Sequence, residues 1–258
     1  MQRRRKDGIL AGMKIGIIGA MSVEVNDLVS ALRREKSQSL YGLTFHTGLL
    51  AGVEAVIVQS GVGKVNAALC VQQLADRFQV DAIINTGIAG AVDARLHVGD
   101  FVVSTDAVQH DVDATYFGYQ PGQVPGMGKD GYQADGKLVE AIQESYREHG
   151  GAWGGQMLAG RIASGDQFIS DKARKQAIRD VFHPLCVEME GAAIAQACVV
   201  NGIPFAIVRC LSDTADESGS RKEYDFNETV MARRSAILTQ GAIAIIGRTN
   251  GQSTQLQS

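Results

Sequence analysis

Short apolar runs, alternating with segments of helical period, constrain this chain more than any other feature. "KIGIIGA" (14–20), "VDAIINTGIAGA" (80–91), "GDFVVSTDAVQHD" (99–111) and "PFAIVRCLSD" (204–213) read as buried strands, the second running into a glycine turn. Between them, apolar residues recur every three or four positions. Val25, Leu28, Val29 and Leu32 do so in "EVNDLVSALRR" (24–34), and "KVNAALCVQQLADRF" (64–78) also reads as a helix. Further helices are expected over 135–150, over 170–182 with Ser170 as its cap, over 191–202 ending at Gly202, and after "KEYDFNETV". "LTFHTGLL" and "VEAVIVQS" join through Ala51-Gly52, a hairpin signal. "GGQMLAGRIASGD" (154–166) reads as strand and loop, and "LCVEME" (185–190) as a strand end. Residues 112–132 hold glycines, prolines and aromatics without a period, so a long loop is expected there. The alternation predicts a single three-layer α/β domain around a central mixed β-sheet.

The length of 258 residues suits one such domain with a substantial core. A net charge of −3 gives no electrostatic footprint for nucleic acid. The four cysteines (70, 186, 198 and 210) make no C-x-x-C and have no zinc-spaced histidine, so no metal is expected. They read as reduced, buried thiols of a cytoplasmic protein. The basic start followed by an apolar run imitates a secretory signal, but Asp7, Lys14 and several glycines interrupt it. No run approaches the ~20 apolar residues of a membrane span. Residues 1–12 are expected to be a disordered extension, 13–246 the folded domain and 247–258 a disordered polar tail.

Ligands of open α/β sheets bind beyond the carboxyl ends of the strands. Polar motifs fall at such ends: Gly19 to Glu24, Gly87 to Gly90, Glu188 to Glu190, and Arg209 to Asp213. "SGVGKVNAA" (60–68) is no phosphate loop, because Val58 and Val65 stand where glycine and Ser/Thr are needed. "GIIGAM" likewise fails the dinucleotide fingerprint. Glu24 in a first helical turn can simply favour the helix dipole, or act as a base if desolvated. On a strand, Glu188 and Glu190 would share one face and suit two vicinal hydroxyls. Alternatively they are solvated acids at a helix N-terminus. Asp213 can be a helix cap or a proton donor oriented by Ser212. Arg209 can pair with a carboxylate or hold a water, and Phe168 can be core or stack on a planar base.

The motifs together resemble the bacterial 5′-methylthioadenosine/S-adenosylhomocysteine nucleosidases, of the nucleoside phosphorylase superfamily. "MKIGIIGAM" with Glu24, "SGVGKVNAAL", "IINTGIAGA", "VGDFVVSTDAVQHDVDATYFGY", "GQVPGM", "SGDQFI", "VEMEGAAIAQ" and "RCLSDTAD" run in that family's order from Met13 to about residue 240. The resemblance implies a nucleoside phosphorylase-like fold and hydrolysis of an adenine nucleoside at its glycosidic bond, without a cofactor. It implies Asp213 as the acid that protonates the purine imidazole nitrogen, with Ser212 orienting it. Glu24 would position and deprotonate the water, with Arg209 nearby. Glu190 would accept ribose hydroxyls, Met189 would lie beneath the sugar, and Glu188 would belong to the same site. Phe168 would stack on adenine while the backbone of Ile169 reads its edge. Val62 would line the alkylthio pocket, and Ile88, Ala89 and Gly90 the substrate cleft. The resemblance further implies a homodimer, with Phe117, Tyr119 and Pro125 of residues 112–125 completing the neighbour's pocket.

One position departs from the family pattern, which has serine where this chain has Ile88. Isoleucine donates no hydrogen bond, so either water positioning falls on Glu24 and Arg209 or the side chain points away. Three other readings remain. A phosphorylase would need arginines in the glycine loops, and these contain none. A hydrolase of aminofutalosine or 5′-deoxyadenosine would share the motifs. A non-catalytic nucleoside sensor would not need Glu24, Glu190 and Asp213 together. Residues 214–222 are a candidate lid.

Overall fold

The first strand, β1 (Lys14–Gly19), alternates its side chains between two cores, with Ile15 and Ile17 on one face and Ile18 on the other. The same alternation recurs in β4 (Val53–Gln59), β5 (Ala82–Ala91) and β10 (Phe205–Asp213), so helices must cover both faces of this sheet. Helices α2 (Lys64–Gln73) and α5 (Gly191–Asn201) pack on one face through Cys70, Val71, Ala192 and Cys198. Helices α1 (Ser22–Ser30), α3 (Gly136–His149) and α6 (Arg221–Gln255) pack on the other through Leu28, Ile142 and Ile243. A smaller cluster beneath α4 (Lys172–Phe182) joins Ile178 and Phe182 to Ile169 and Val187. This computed structural model describes residues 12–128, 131–215 and 221–255. The expected N-terminal extension, apart from Gly12, and the centre of the candidate lid lie outside them.

The remaining strands are β2 (Arg33–Leu40), β3 (Leu43–Leu50), β6 (Phe101–Gln109), β7 (Tyr132–Gln133), β8 (Met157–Ser164) and β9 (Cys186–Glu188). The sheet is mixed, as expected. Its order runs β10-β6-β8-β9-β5-β1-β4-β3-β2, and β10 also pairs with β5. Five strands therefore close on themselves, and β1 to β4 extend from that ring as an open wing. Along one edge, β5 exchanges neighbours. It pairs with β1 as far as Asn85 and with β9 only from Gly90. The interval between is a topological switch point, where a crevice must open.

Several local expectations are corrected. The first helix stops at Ser30 rather than Arg34, because Arg33–Leu40 joins the sheet's outer edge as β2, antiparallel to β3. The glycines after Thr86 belong to β5 itself rather than to a turn. Asp171, not Ser170, caps α4, its carboxylate accepting the Arg174 amide. Helix α6 runs on to Gln255, beyond residue 246 where the domain was expected to end. The β3–β4 hairpin turns at Ala51 and Gly52 as expected, both at positive φ.

Candidate active site

The crevice at the switch point has a volume of about 190 Å³. Met21 and Glu24 enter it from the β1–α1 junction, Ile88, Ala89 and Gly90 from β5, and Glu188, Met189 and Glu190 from the β9–α5 junction. Ser212 and Asp213 close one end from the tip of β10, and Val62, Phe168 and Ile169 complete the wall. All four motifs at strand ends thus contribute to one cavity.

Glu24 is 4 % exposed, and its carboxylate is held by backbone alone. Oε2 accepts the Ala20 and Met21 amides at 2.7 and 2.9 Å, and Oε1 accepts the Ile88 amide at 3.0 Å. The bond to Met21 is the returning half of a capping box, so the helix start itself aims the acid. Burial pushes its pKa up, while Arg209 and the three amides oppose that rise. Gly87 is required here, because a Cβ would collide with Oε1.

Asp213 is anchored locally. Ser212 Oγ donates to Oδ2 at 2.9 Å, and the Ala215 amide donates to Oδ1 at 2.7 Å. It ends a strand and caps no helix. A Cβ at Gly90 would stand 2.6 Å from Oδ1, so glycine lets the strand pass close beneath this acid. Glu24 therefore meets β5 at Gly87 and Ile88, and Asp213 meets it at Gly90. At ~3.3 Å per residue that interval is about 10 Å, the scale of a nucleoside's sugar and reacting bond.

Glu188 and Glu190 do not share a strand face. Strand β9 ends at Glu188, and Glu190 is the residue before α5, with φ −132° and ψ −37°. Glu188 turns inward, forms a buried ion pair with Arg209, accepts from Ser164 Oγ, and accepts the Gly191 amide at 2.8 Å. Glu190 instead accepts the Gly63 amide at 2.7 Å. Burial first, and then the Glu188 carboxylate, push the Glu190 pKa above its ordinary value.

Arg209 lies in mid-strand rather than at a strand end, is 2 % exposed, and is not part of the cavity wall. It donates to Asn85 and Glu188, and its Nε has no partner among the described residues. Such a pair, broken on one side, leaves a buried charge uncompensated. Its influence on Glu24 is electrostatic.

Phe168 is 60 % exposed at the rim, while Ile169 is buried. Ile88 is 8 % exposed, borders the cavity and also belongs to the core cluster beneath α1 and α6. Phe117, Tyr119 and Pro125 do not reach the cavity of their own chain. Thr115–Phe117 forms a 3-10 turn with Tyr116 and Phe117 stacked edge to face at 5.1 Å, the two rings 93 % and 76 % exposed. The reading of the sequence missed Ala20, Met21, Gln167 and Val187 in the wall. Met21 and Gln167 each lie within a quoted motif, and that placement was the available signal. No group of three or more metal-ligating side chains occurs among the described residues.

The chain is similar to known proteins over most of its length. Residues 14–244 match the family model described as Phosphorylase superfamily. A 5′-methylthioadenosine/S-adenosylhomocysteine nucleosidase of Geobacillus thermodenitrificans is 46% identical over 235 residues, covering 91% of this chain and 98% of that protein. Among solved structures, the nucleosidase of that name from Colwellia psychrerythraea, in complex with adenine, superposes with a TM-score of 0.85. It is 42% identical and covers 90% of this chain and 95% of that one. The corresponding enzyme of S. pneumoniae, with a transition-state inhibitor, gives a TM-score of 0.82 at 41% identity, covering 90% and 99%.

Proposed function

The chain belongs to the phosphorylase superfamily, among its 5′-methylthioadenosine/S-adenosylhomocysteine nucleosidases, and from that premise we propose how its cleft performs the reaction. The protein is an N-glycosyl hydrolase that cleaves 5′-methylthioadenosine and S-adenosylhomocysteine into adenine and the 5-alkylthioribose. The observation that carries the mechanism is the placement of Glu24 and Asp213 against opposite ends of one short interval of β5. Adenine lies at the Asp213 end, between Phe168 and the backbone of Ile169. Asp213 gives its proton to the imidazole nitrogen as the C1′–N bond breaks, and the bonding pair leaves with the base. Positive charge grows on the ribose, between the carboxylates of Glu24 and Glu190. Glu24 takes a proton from a water whose oxygen bonds to C1′, so one water is consumed and neutral adenine leaves. Fixed groups that oppose developing charge in a dry cleft act only in the transition state. Glu190 receives the ribose hydroxyls, with Met189 under the ring and Val62 toward the alkylthio end. Glu188 acts by holding Arg209, which favours the ionised form of Glu24.

The cavity wall supports water rather than phosphate as nucleophile. It contains Glu24, Glu188, Glu190 and Asp213, and neither lysine nor arginine among the described residues. A phosphate dianion would be repelled there. Incubation with 5′-methylthioadenosine, with and without phosphate, tests this: adenine and free methylthioribose are expected at one rate in both. A sugar 1-phosphate would instead make the protein a phosphorylase, and binding without turnover would make it a sensor. Ile88 supplies no hydrogen bond to the water, which leaves that duty to Glu24.

The active unit in this proposal is a homodimer, with residues 112–125 of each chain closing the other's alkylthio pocket. Supporting it are the exposed rings of Tyr116 and Phe117 and, on α2 beside Val62, the exposed Val65 (69 %) and Leu69 (58 %). Phe117→Ala should raise KM for methylthioadenosine about tenfold, equivalent to ~1.4 kcal/mol, with little change in kcat. A monomer at assay concentration by sedimentation would overturn the dimer. The four free, buried cysteines support a cytoplasmic site of action.

A further inference from the structure

Three buried hydroxyls behind Glu24 take no part in the steps above. Thr86 on β5 is 1 % exposed, and Ser235 and Thr239 on α6 are fully buried. Ser235 Oγ lies 2.8 Å from Thr86 Oγ1, and Thr239 Oγ1 lies 2.9 Å from the same atom. Ser235 Oγ also accepts the Gly87 amide proton at 3.2 Å. Elsewhere the inward face of α6 is apolar, with Met231, Ala232, Ala236, Leu238, Ala242 and Ile243 against the sheet. A polar interruption of such a face is costly unless every group is bonded, so its position needs a cause.

The cause lies at the switch point. Strand β1 leaves β5 after Asn85, and β9 arrives only at Gly90. Two successive amides in that interval turn to side chains: Gly87 to Ser235 and Ile88 to Glu24. The peptide linking Gly87 to Ile88 is a rigid plane, so the rotations at Gly87 set the direction of the Ile88 N–H. Gly87 must be glycine because of Glu24, and glycine is the residue whose rotations are least restrained. The backbone that touches the catalytic carboxylate therefore needs an external tether.

We infer that Ser235 is a positioning residue for the hydrolysis, its hydroxyl fixing Gly87 so that the Ile88 amide keeps Glu24 aligned on the attacking water. The inference rests on the reading of Glu24 as the base. Burial raises the proton affinity of Glu24, and the Ile88 hydrogen bond is one of the groups holding it down. The charged groups around it are Arg209 from β10 and Glu190 at the head of α5, with Glu188 across Arg209. At the surface, Asp27 of α1 pairs with Arg233 of α6 at 3.2 Å. Ser235 is uncharged, so its removal leaves all of these in place and acts only through backbone alignment.

The test compares kcat, KM and the acid limb of the kcat/KM profile for Ser235→Ala, Ser235→Thr, Thr239→Val and Glu24→Gln. Ser235→Ala should lose about tenfold in kcat with KM within about twofold, and its acid limb should move to higher pH. Ser235→Thr, which keeps the acceptor, should recover both. Thr239→Val removes a hydroxyl of the same chain that does not touch Gly87, so it should lower Tm without moving the limb. If Ser235→Ala fails to fold, Ser235→Cys, a weak acceptor of similar size, carries the same comparison. An unshifted limb and unchanged kcat in Ser235→Ala, beside an inactive Glu24→Gln, overturn this inference alone. A fully active Glu24→Gln overturns the reading of Glu24 and this inference with it.

Discussion

Glu24→Gln is expected to lower kcat by about 10²–10⁴-fold while KM changes only a few-fold. The side chain keeps its shape and loses its basicity. It also loses an acceptor, since three amides converge on two carboxylate oxygens and glutamine supplies one. If the amide oxygen keeps Ala20 and Met21, its NH₂ group faces the Ile88 N–H, a mismatch worth ~1–3 kcal/mol. A second signature separates the base from a structural acid. Burial holds the Glu24 pKa above its ordinary 4.5, so the folded protein binds this proton more tightly than the unfolded chain. The resulting stabilisation is complete below pH 4.5 and is lost as pH rises through the elevated folded value. Activity has the opposite slope, because the base must be ionised. The wild type should therefore gain activity across the window in which it loses Tm. Glu24→Gln should show neither change from this group. A variant that keeps the acid limb of the wild type would assign the limb, and the base, to another residue.

Asp213→Asn is the second large effect, again about 10²–10⁴-fold in kcat. Asparagine can still accept the Ala215 amide, so the loop after β10 should keep its shape and substrate should still bind. It cannot deliver a proton to the departing base. The loss should therefore depend on the leaving group. A nitrophenyl 5-alkylthioriboside, whose C1–O bond breaks to release nitrophenolate without protonation, should be cleaved by Asp213→Asn at close to the wild-type rate. An equal loss on both substrates would mean that Asp213 holds the substrate and does not protonate it.

The sequence marks this site well where chemistry and strand ends coincide. Glu24, Asp213 and the Gly87–Gly90 stretch each follow or end an apolar run, and the sheet brings those ends to one crevice. The failures have separable physical causes. Glu188 and Glu190 read as a pair on one face only if the strand continues, and β9 stops at the first of them. Once it stops, the two acids serve different partners, Arg209 and Gly63. Arg209 read as a strand-end group because Ser212 and Asp213 follow it closely, yet β10 extends to Asp213 and leaves the arginine inside. Strand β2 has no apolar alternation because it lies at the sheet edge, where charged residues block further pairing. The hydroxyl of Ser235 carries no local signal, since only tertiary placement gives it a role. Phe117, Tyr119 and Pro125 of the aromatic loop do not line the cavity of their own chain.

Strand β10 lies between β5 and β6 and carries Asp213, although it is the last strand to be synthesised. Without β10 the ring of five strands stays open between β5 and β6. During translation, β1 to β9 and Glu24 are present before Asp213, and the place of β10 between β5 and β6 is still to be filled. Insertion of a late strand, parallel to β5 and antiparallel to β6, is a long-range, high-contact-order event and is slow. The cleft therefore cannot be complete before β10 enters the sheet, and recovery of hydrolysis on refolding reports the native topology rather than collapse.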